Sequence, residues 1–321
     1  MPSLLLAVTI LAQAQATVPA GALLVVTNKQ EATASVIEIG SGQTLATIPT
    51  GTGPHEVAVA GSGEWAIVAN YGAQAPGSSL TVIDLVTRSV RRTIDLGEYR
   101  RPHGIVVLPG DSLVVVTVEA NDAVLLVNPA TGAVEKAIPT NARGSHMVAV
   151  TADGRRGFTA NIASNSITEL DLASGMPVRS LDVAPRTEGV GVTPDGREVW
   201  VGSNTDHTVT IVDVESWTVL DTIPAAGLPY RVAISADGRT ALVPAPMGGV
   251  VRVFDVQRRT ERAAISFGDG QPVGTAISPD GAYAFVSLQG TDEAAMVDLR
   301  TLEEVRRFKT GAGPDGIAVA W

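Results

Sequence analysis

The feature that most constrains this chain is an internal repeat. TADGRRGFTANIASNSITELDLASGMPVRSLDV (151–183) is followed by TPDGREVWVGSNTDHTVTIVDVESWTVLDTIPA (193–225), then by SADGRTALVPAPMGGVVRVFDVQRRTERAAISF (235–267) and SPDGAYAFVSLQGTDEAAMVDLRTLEEVRRFKT (278–310). Looser copies begin at AGSGEWAIVAN (60–70) and LPGDSLVVVTV (108–118). A fixed period of this length signals a repeat architecture, so it outranks residue-by-residue propensity. Each unit holds four short runs of strand composition separated by turn residues. The first, such as VAVA or RVAIS, is apolar on both faces, as in a strand buried on two sides. The fourth, such as SVRRTID or EEVRRFK, carries the charge of a protected outer edge. Four strands in about 42 residues make one blade of a β-propeller.

Six full units run from His55 to about Thr310. Before them, ALLVVTN, ASVIEI and TLATIPT (22–50) supply only the second to fourth strands of another blade, and GIAVAW (316–321) supplies its missing first strand. The expectation is an all-β, seven-bladed propeller of four-stranded antiparallel blades, closed by the C-terminal strand completing the N-terminal blade.

The phrases PHEVAVAGSGEWAIVANYG, TVIDLVTRSVRRTIDLG and VAISADGRTALV resemble the YVTN-type repeats of bacterial and archaeal seven-bladed propellers. That family is similar to surface-layer and periplasmic binding proteins, and more distantly to lactonase-like and cytochrome-cd1-like propellers. The resemblance implies the fold strongly and an activity poorly. There is no CxxCH haem-attachment motif, so it lends no support to the electron-transfer branch.

The net charge of −10 and pI near 4.9 argue against nucleic acid as a partner, because phosphate contacts need Lys and Arg. The absence of cysteine removes disulfides, thiol nucleophiles and Cys-ligated metals. An apolar run from Leu4 to Ala12 followed by Ala14-Gln15-Ala16 reads as a secretory signal, residues 1–16, cleaved after Ala16. It is too short for a permanent span. The expected product is a single propeller domain, 17–321, periplasmic or secreted.

Alignment of the units on their first strand puts His55, His103, His146, Glu188, Tyr230, Val273 and Asp315 at one equivalent position, at intervals of 48, 43, 42, 42, 43 and 42 residues. In a propeller this position lies at the start of the innermost strand, beside the central channel. Three of the four histidines of the chain stand there, in consecutive blades, with Glu188 in the next. Three imidazoles and a carboxylate suit a divalent Zn, Mn, Fe, Ni or Cu ion. The following position is glycine in four units (Gly104, Gly189, Gly274, Gly316) and Glu56, Met147 or Arg231 in the others, which suits crowded inner strands. The loops after the second strands place Asn28, Asn70, Tyr71, Gln74, Glu119, Asn161, Asp206, His207, Met247 and Gln289 around a funnel above this ring, His207 reading best as a turn residue. Arg100, Arg101, Arg143 and Arg186, just before ring positions, would draw a small anion into the funnel.

Two functions fit. In the first, His55, His103, His146 and Glu188 hold a metal, Glu188 or Asp315 acts as base, Tyr230 as acid, and Arg231 anchors substrate charge, for hydrolysis or elimination on a small anionic or oxygen-rich molecule. The alternative is a non-catalytic periplasmic or surface binding or scaffold propeller, with a protein partner on its blade faces. No GxSxG elbow, phosphate loop or HExxH motif points elsewhere.

Overall fold

The computed structural model describes residues 17–321; the expected leader, 1–16, lies outside them. Seven four-stranded antiparallel sheets follow one another around an axis. In blade 1 the strand Pro314–Ala320 pairs with Leu23–Asn28, which continues to Thr33–Glu38 and Thr44–Pro49, so the two ends of the chain share one sheet as the repeat count requires. The innermost strands of blades 2 to 7 are Pro54–Val59, Pro102–Val107, Ser145–Val150, Thr187–Val192, Ala233–Ile234 and Pro272–Ile277. That of blade 6 is cut to two residues, which leaves Tyr230 and Arg231 outside regular pairing.

Apolar side chains are buried between neighbouring sheets. Trp200 of blade 5, for instance, packs on Phe254 of blade 6 with ring centroids 6.3 Å apart. Across the closure, Leu24 and Ile317 of blade 1 meet Phe285, Met296 and Phe308 of blade 7. Because each sheet has two buried faces, its middle strands are buried along almost their whole length, while the fourth strands, such as Ser89–Asp95, are almost wholly exposed.

The ring position is held by a β-bulge. In blade 2 Pro54 pairs with Asn70 and Val57 with Val68, so His55 and Glu56 together face Ala69 alone. The same two-against-one register recurs at His103–Gly104, Glu188–Gly189, Val273–Gly274 and Asp315–Gly316, and His146 is the extra residue of blade 4. A bulge re-aims the side chain it carries and leaves backbone groups unpaired. Hydroxyls on the second strands take up those groups. Thr27 donates to the His55 carbonyl (2.9 Å), and Thr117 accepts from the Gly104 N–H (2.9 Å) while donating to the His146 carbonyl (2.7 Å). Ser287 accepts from the Gly274 N–H and donates to the Asp315 carbonyl.

The residue after the ring position alternates around the axis: Gly316, Glu56, Gly104, Met147, Gly189, Arg231, Gly274. The glycines lie where a neighbouring backbone passes. A Cβ on Gly189 would stand 2.7 Å from Arg231 Cα, and one on Gly104 2.8 Å from Met147 Cα. Small and large residues thus interlock, and Arg231 and Glu56 meet across the axis. Gly189→Ala is expected to lower unfolding free energy by about 1–3 kcal/mol, the usual cost of overpacking. Gly40, where nothing lies within 4 Å, provides the control: Gly40→Ala should change little, and equal denaturation midpoints for the two variants would contradict the interlock.

Candidate functional site

His55, His103, His146 and Glu188 come together at one mouth of the channel, all buried or nearly so. They line a cavity of roughly 450 Å³ with Tyr71, Glu119, Ile162, Arg186, Asn204, Leu228 and Tyr230. Tyr71, His55, His103 and His146 form one arc of touching rings: centroid separations are 4.3 Å for His55–Tyr71 (tilted), 5.0 Å for His55–His103 (edge-on) and 3.9 Å for His103–His146 (tilted).

The three imidazoles differ in protonation because their neighbours differ. His55 Nδ1 lies 2.9 Å from the Gly53 carbonyl, so it carries the proton and leaves Nε2 as the lone-pair nitrogen. Burial lowers its pKa to about 4. His103 is held well below the ordinary value by burial and then by the positive charge of its neighbours, and its Nδ1 is buried without a partner. Burial alone would lower His146 too, but Glu119, whose Oε2 is 2.7 Å from Nδ1, and Glu188 raise it to about 9. His146 Nε2 lies 3.3 Å from Glu188 Oε1 without the alignment of a hydrogen bond. Asn204 donates to the other Glu188 oxygen and fixes that carboxylate. Tyr71 donates to Glu119 at 3.3 Å, and burial, reinforced by Glu119, pushes its phenol up to about 12.

Arg231 and Asp315 sit beneath the cavity, committed to ion pairs instead of pointing into it. Arg231 Nε donates to Glu56 Oε1 across the channel at 2.8 Å, its Nη2 lies 3.5 Å from Asp315 Oδ1, and Lys29 Nζ lies 3.4 Å from Asp315 Oδ2. The guanidinium is therefore engaged by carboxylates, with the Tyr230 ring 4.4 Å from Cζ. This network joins side chains of three blades across the axis next to the cavity, called the cup below. Tyr230 lines the cup, and burial raises it to about 12. Among the expected funnel residues, Tyr71 and Glu119 line the cavity. Asn28, Asn70 and Asn161 instead are buried clamps for the hairpins that follow, as where Asn70 donates to Ser79 and Thr81 at 3.0 Å. His207 is an exposed turn residue with φ 54°. Sequence reasoning placed Tyr71 and Glu119 only among many loop residues; nothing in the repeat marks Glu119 as the partner of a histidine 27 positions on. Among the described residues no three His, Asp or Glu side chains already stand in metal-ligand geometry, because His103 presents its ring face, not a nitrogen, to His146.

The family described as "Cytochrome D1 heme domain" matches residues 21–320, and the chain belongs to that family of seven-bladed propellers. Among solved structures it is similar to Kuenenia stuttgartiensis hydrazine synthase, at 20% identity over 82% of this chain and 88% of that one, with TM-score 0.70. It is also similar to a functionally unknown protein from Desulfotomaculum acetoxidans DSM 771, at 17% identity over 92% of this chain and 98% of that one, with TM-score 0.79. Identities this low carry the fold alone. Among curated proteins none matches the sequence. No helix among the described residues is long and apolar enough to cross a membrane.

The family description names heme, a metal-containing cofactor, but the residues of the cup do not fit it. Sites for large planar cofactors are mostly apolar. Here only Ile162 and Leu228 are aliphatic, and the aromatic rings contact one another at centroid separations of 3.9 to 5.2 Å, leaving no slot between them.

His146 links stability to pH in metal-free protein. Its pKa is raised on folding from the ordinary 6.5 to about 9, so its contribution is complete below about pH 6.5 and is lost as pH rises through about 9. The denaturant midpoints of wild type and His146→Gln should therefore lie further apart at pH 6 than at pH 10, and a pH-independent gap would contradict the Glu119–His146–Glu188 ion pair.

Proposed function

We propose that this protein is an exported propeller that binds one divalent metal at the cup through His55, His103, His146 and Glu188, and that it acts there as a hydrolase or lyase on a small anionic or oxygen-rich molecule. The observation that carries the reading is the buried His103 Nδ1, left without a hydrogen-bond partner next to the His146 Nε2–Glu188 Oε1 pair, whose atoms are 3.3 Å apart. Orphaned buried nitrogens are costly unless something engages them.

The surrounding bonds support it. Metal-bound histidines commonly give their other ring N–H to a carboxylate or backbone carbonyl. His146 has Glu119 in that position and His55 has Gly53. His146 Nε2 and Glu188 Oε1, 3.3 Å apart, have about the separation of two donors bonded to one ion at about 2.0–2.2 Å. Binding requires His103 to turn its ring out of the arc and His146 to lose a proton.

When bound, such an ion lowers the pKa of a water and polarises a carbonyl or carboxylate oxygen. The chain's own groups do the rest. Glu119 orients His146, and Asn204 orients Glu188, which is placed to accept a proton in the cup. The Tyr230 and Tyr71 phenols, both near 12, stay protonated at neutral pH and are available as donors.

Protein purified without chelator is expected to contain close to one zinc, or another divalent ion, per chain by elemental analysis. His103→Ala should reduce that content by at least about tenfold while melting as a folded protein. Absence of metal in both samples, after growth and loading with Zn, Mn, Fe, Ni and Cu in turn, would remove the reading.

A further inference from the structure

The residue two places before the ring position has a left-handed backbone in all seven blades: Gly53, Arg101, Gly144, Arg186, Leu228, Gln271 and Gly313, with φ from 49° to 73°. Glycine takes this conformation freely, whereas other residues incur a cost of about 1 kcal/mol or more. Two of the exceptions, Arg186 and Leu228, are neighbours in blades 5 and 6, and both line the cup. Here the fold accepts strained backbone in order to place a cation and an aliphatic group at the opening.

Arg186 is also uncommitted. Its backbone N–H donates to Asn165 Oδ1 (2.9 Å) and its carbonyl accepts from the Asn204 N–H (3.1 Å), which fixes the main chain. Its guanidinium has no hydrogen bond or ion pair among the described residues. Arg101, by contrast, lies over the Tyr71 ring, with Cζ 4.7 Å from the centroid, and donates to the Ala73 carbonyl (3.3 Å). Arg231 is engaged by carboxylates. Arg186, an exposed residue, is thus the one arginine that lines the cup, and Glu188, Leu228, Ile162 and Tyr230 line the same cavity.

We propose that Arg186 is the anchor for a carboxylate group of the substrate, and that the Leu228–Ile162 wall selects a short aliphatic carboxylic acid over larger or polyanionic ligands. A planar carboxylate matches the guanidinium fork, and holding it there leaves the other end of a short molecule facing His146 and Glu188. This assignment rests on the catalytic reading of the cup but is measured separately from it.

The test is acetate binding, followed calorimetrically on wild type, Arg186→Gly and Arg186→Lys, each as purified and after zinc loading, with acetamide and inorganic phosphate as comparison probes. Arg186→Gly restores the residue that the backbone prefers, so the variant is expected to melt no lower than wild type and to keep its metal content. Acetate affinity should fall at least about tenfold in it, as for loss of a charge-assisted hydrogen bond. It should recover in part with Arg186→Lys, and acetamide binding should not change. Equal acetate affinity in wild type and Arg186→Gly, or no acetate binding by wild type, overturns the proposal. An Arg186-dependent preference for phosphate overturns the carboxylate assignment. Loss of metal from wild type itself defeats the catalytic reading instead, and the acetate comparison on metal-free protein still decides the role of Arg186.

Discussion

Seven innermost strands must converge on one axis, and the rest of the structure follows from how they are kept apart. Glycine at one blade gives way to the backbone of the next, and the residues at alternate positions are then large enough to meet over the centre. The backbones of Glu56, Met147 and Arg231 are accommodated because Gly316, Gly104 and Gly189 leave room for them. Seven is odd, so the alternation fails once, where Gly274 meets the Asp315–Gly316 backbone. It is beside this gap that Lys29 reaches Asp315 and Arg231 ties Asp315 to Glu56.

The bulge turns this packing solution into chemistry. An extra residue in six of the seven inner strands points a side chain at the mouth, and Thr27, Thr117 and Ser287 absorb backbone groups it frees. With the backbone satisfied, the ring side chains are left to be specified individually. Buried imidazoles with no anionic partner become neutral, as at His103, whereas one set between two carboxylates becomes a cation, as at His146. Three copies of one repeat residue thus acquire two protonation states from the loops above them.

That difference explains what the sequence makes legible. Period fixes blade number, closure and which residues share a ring, since all three depend on equal spacing and alternating faces. His55, His103, His146 and Glu188 are readable for that reason. The pairing of His146 with Glu119 is not: Glu119 stands sixteen residues after the ring histidine of its own blade, His103, as Tyr71 does after His55, and the period does not say that its side chain crosses to the histidine of the next blade. Nor is the reach of Arg231 to Glu56, whose separation of 175 residues is erased only by ring closure. The asparagines ending the second strands mislead in the opposite direction. In the repeat they resemble exposed loop residues, yet Asn28, Asn70 and Asn161 are buried to hold hairpins shut.

In the proposed metal site His146 exchanges a proton for the ion while its two neighbouring imidazoles are already neutral. Protons released on titrating zinc into metal-free protein, measured calorimetrically in buffers of different ionisation enthalpy at pH 6, test it directly. With His55 near 4, His103 well below its ordinary value and His146 near 9, about one proton should leave per zinc. A zinc-bound water, with pKa about 7, adds little at that pH. Release of two or more protons, as for three ordinary histidines with pKa about 6.5, or the absence of binding, would contradict it.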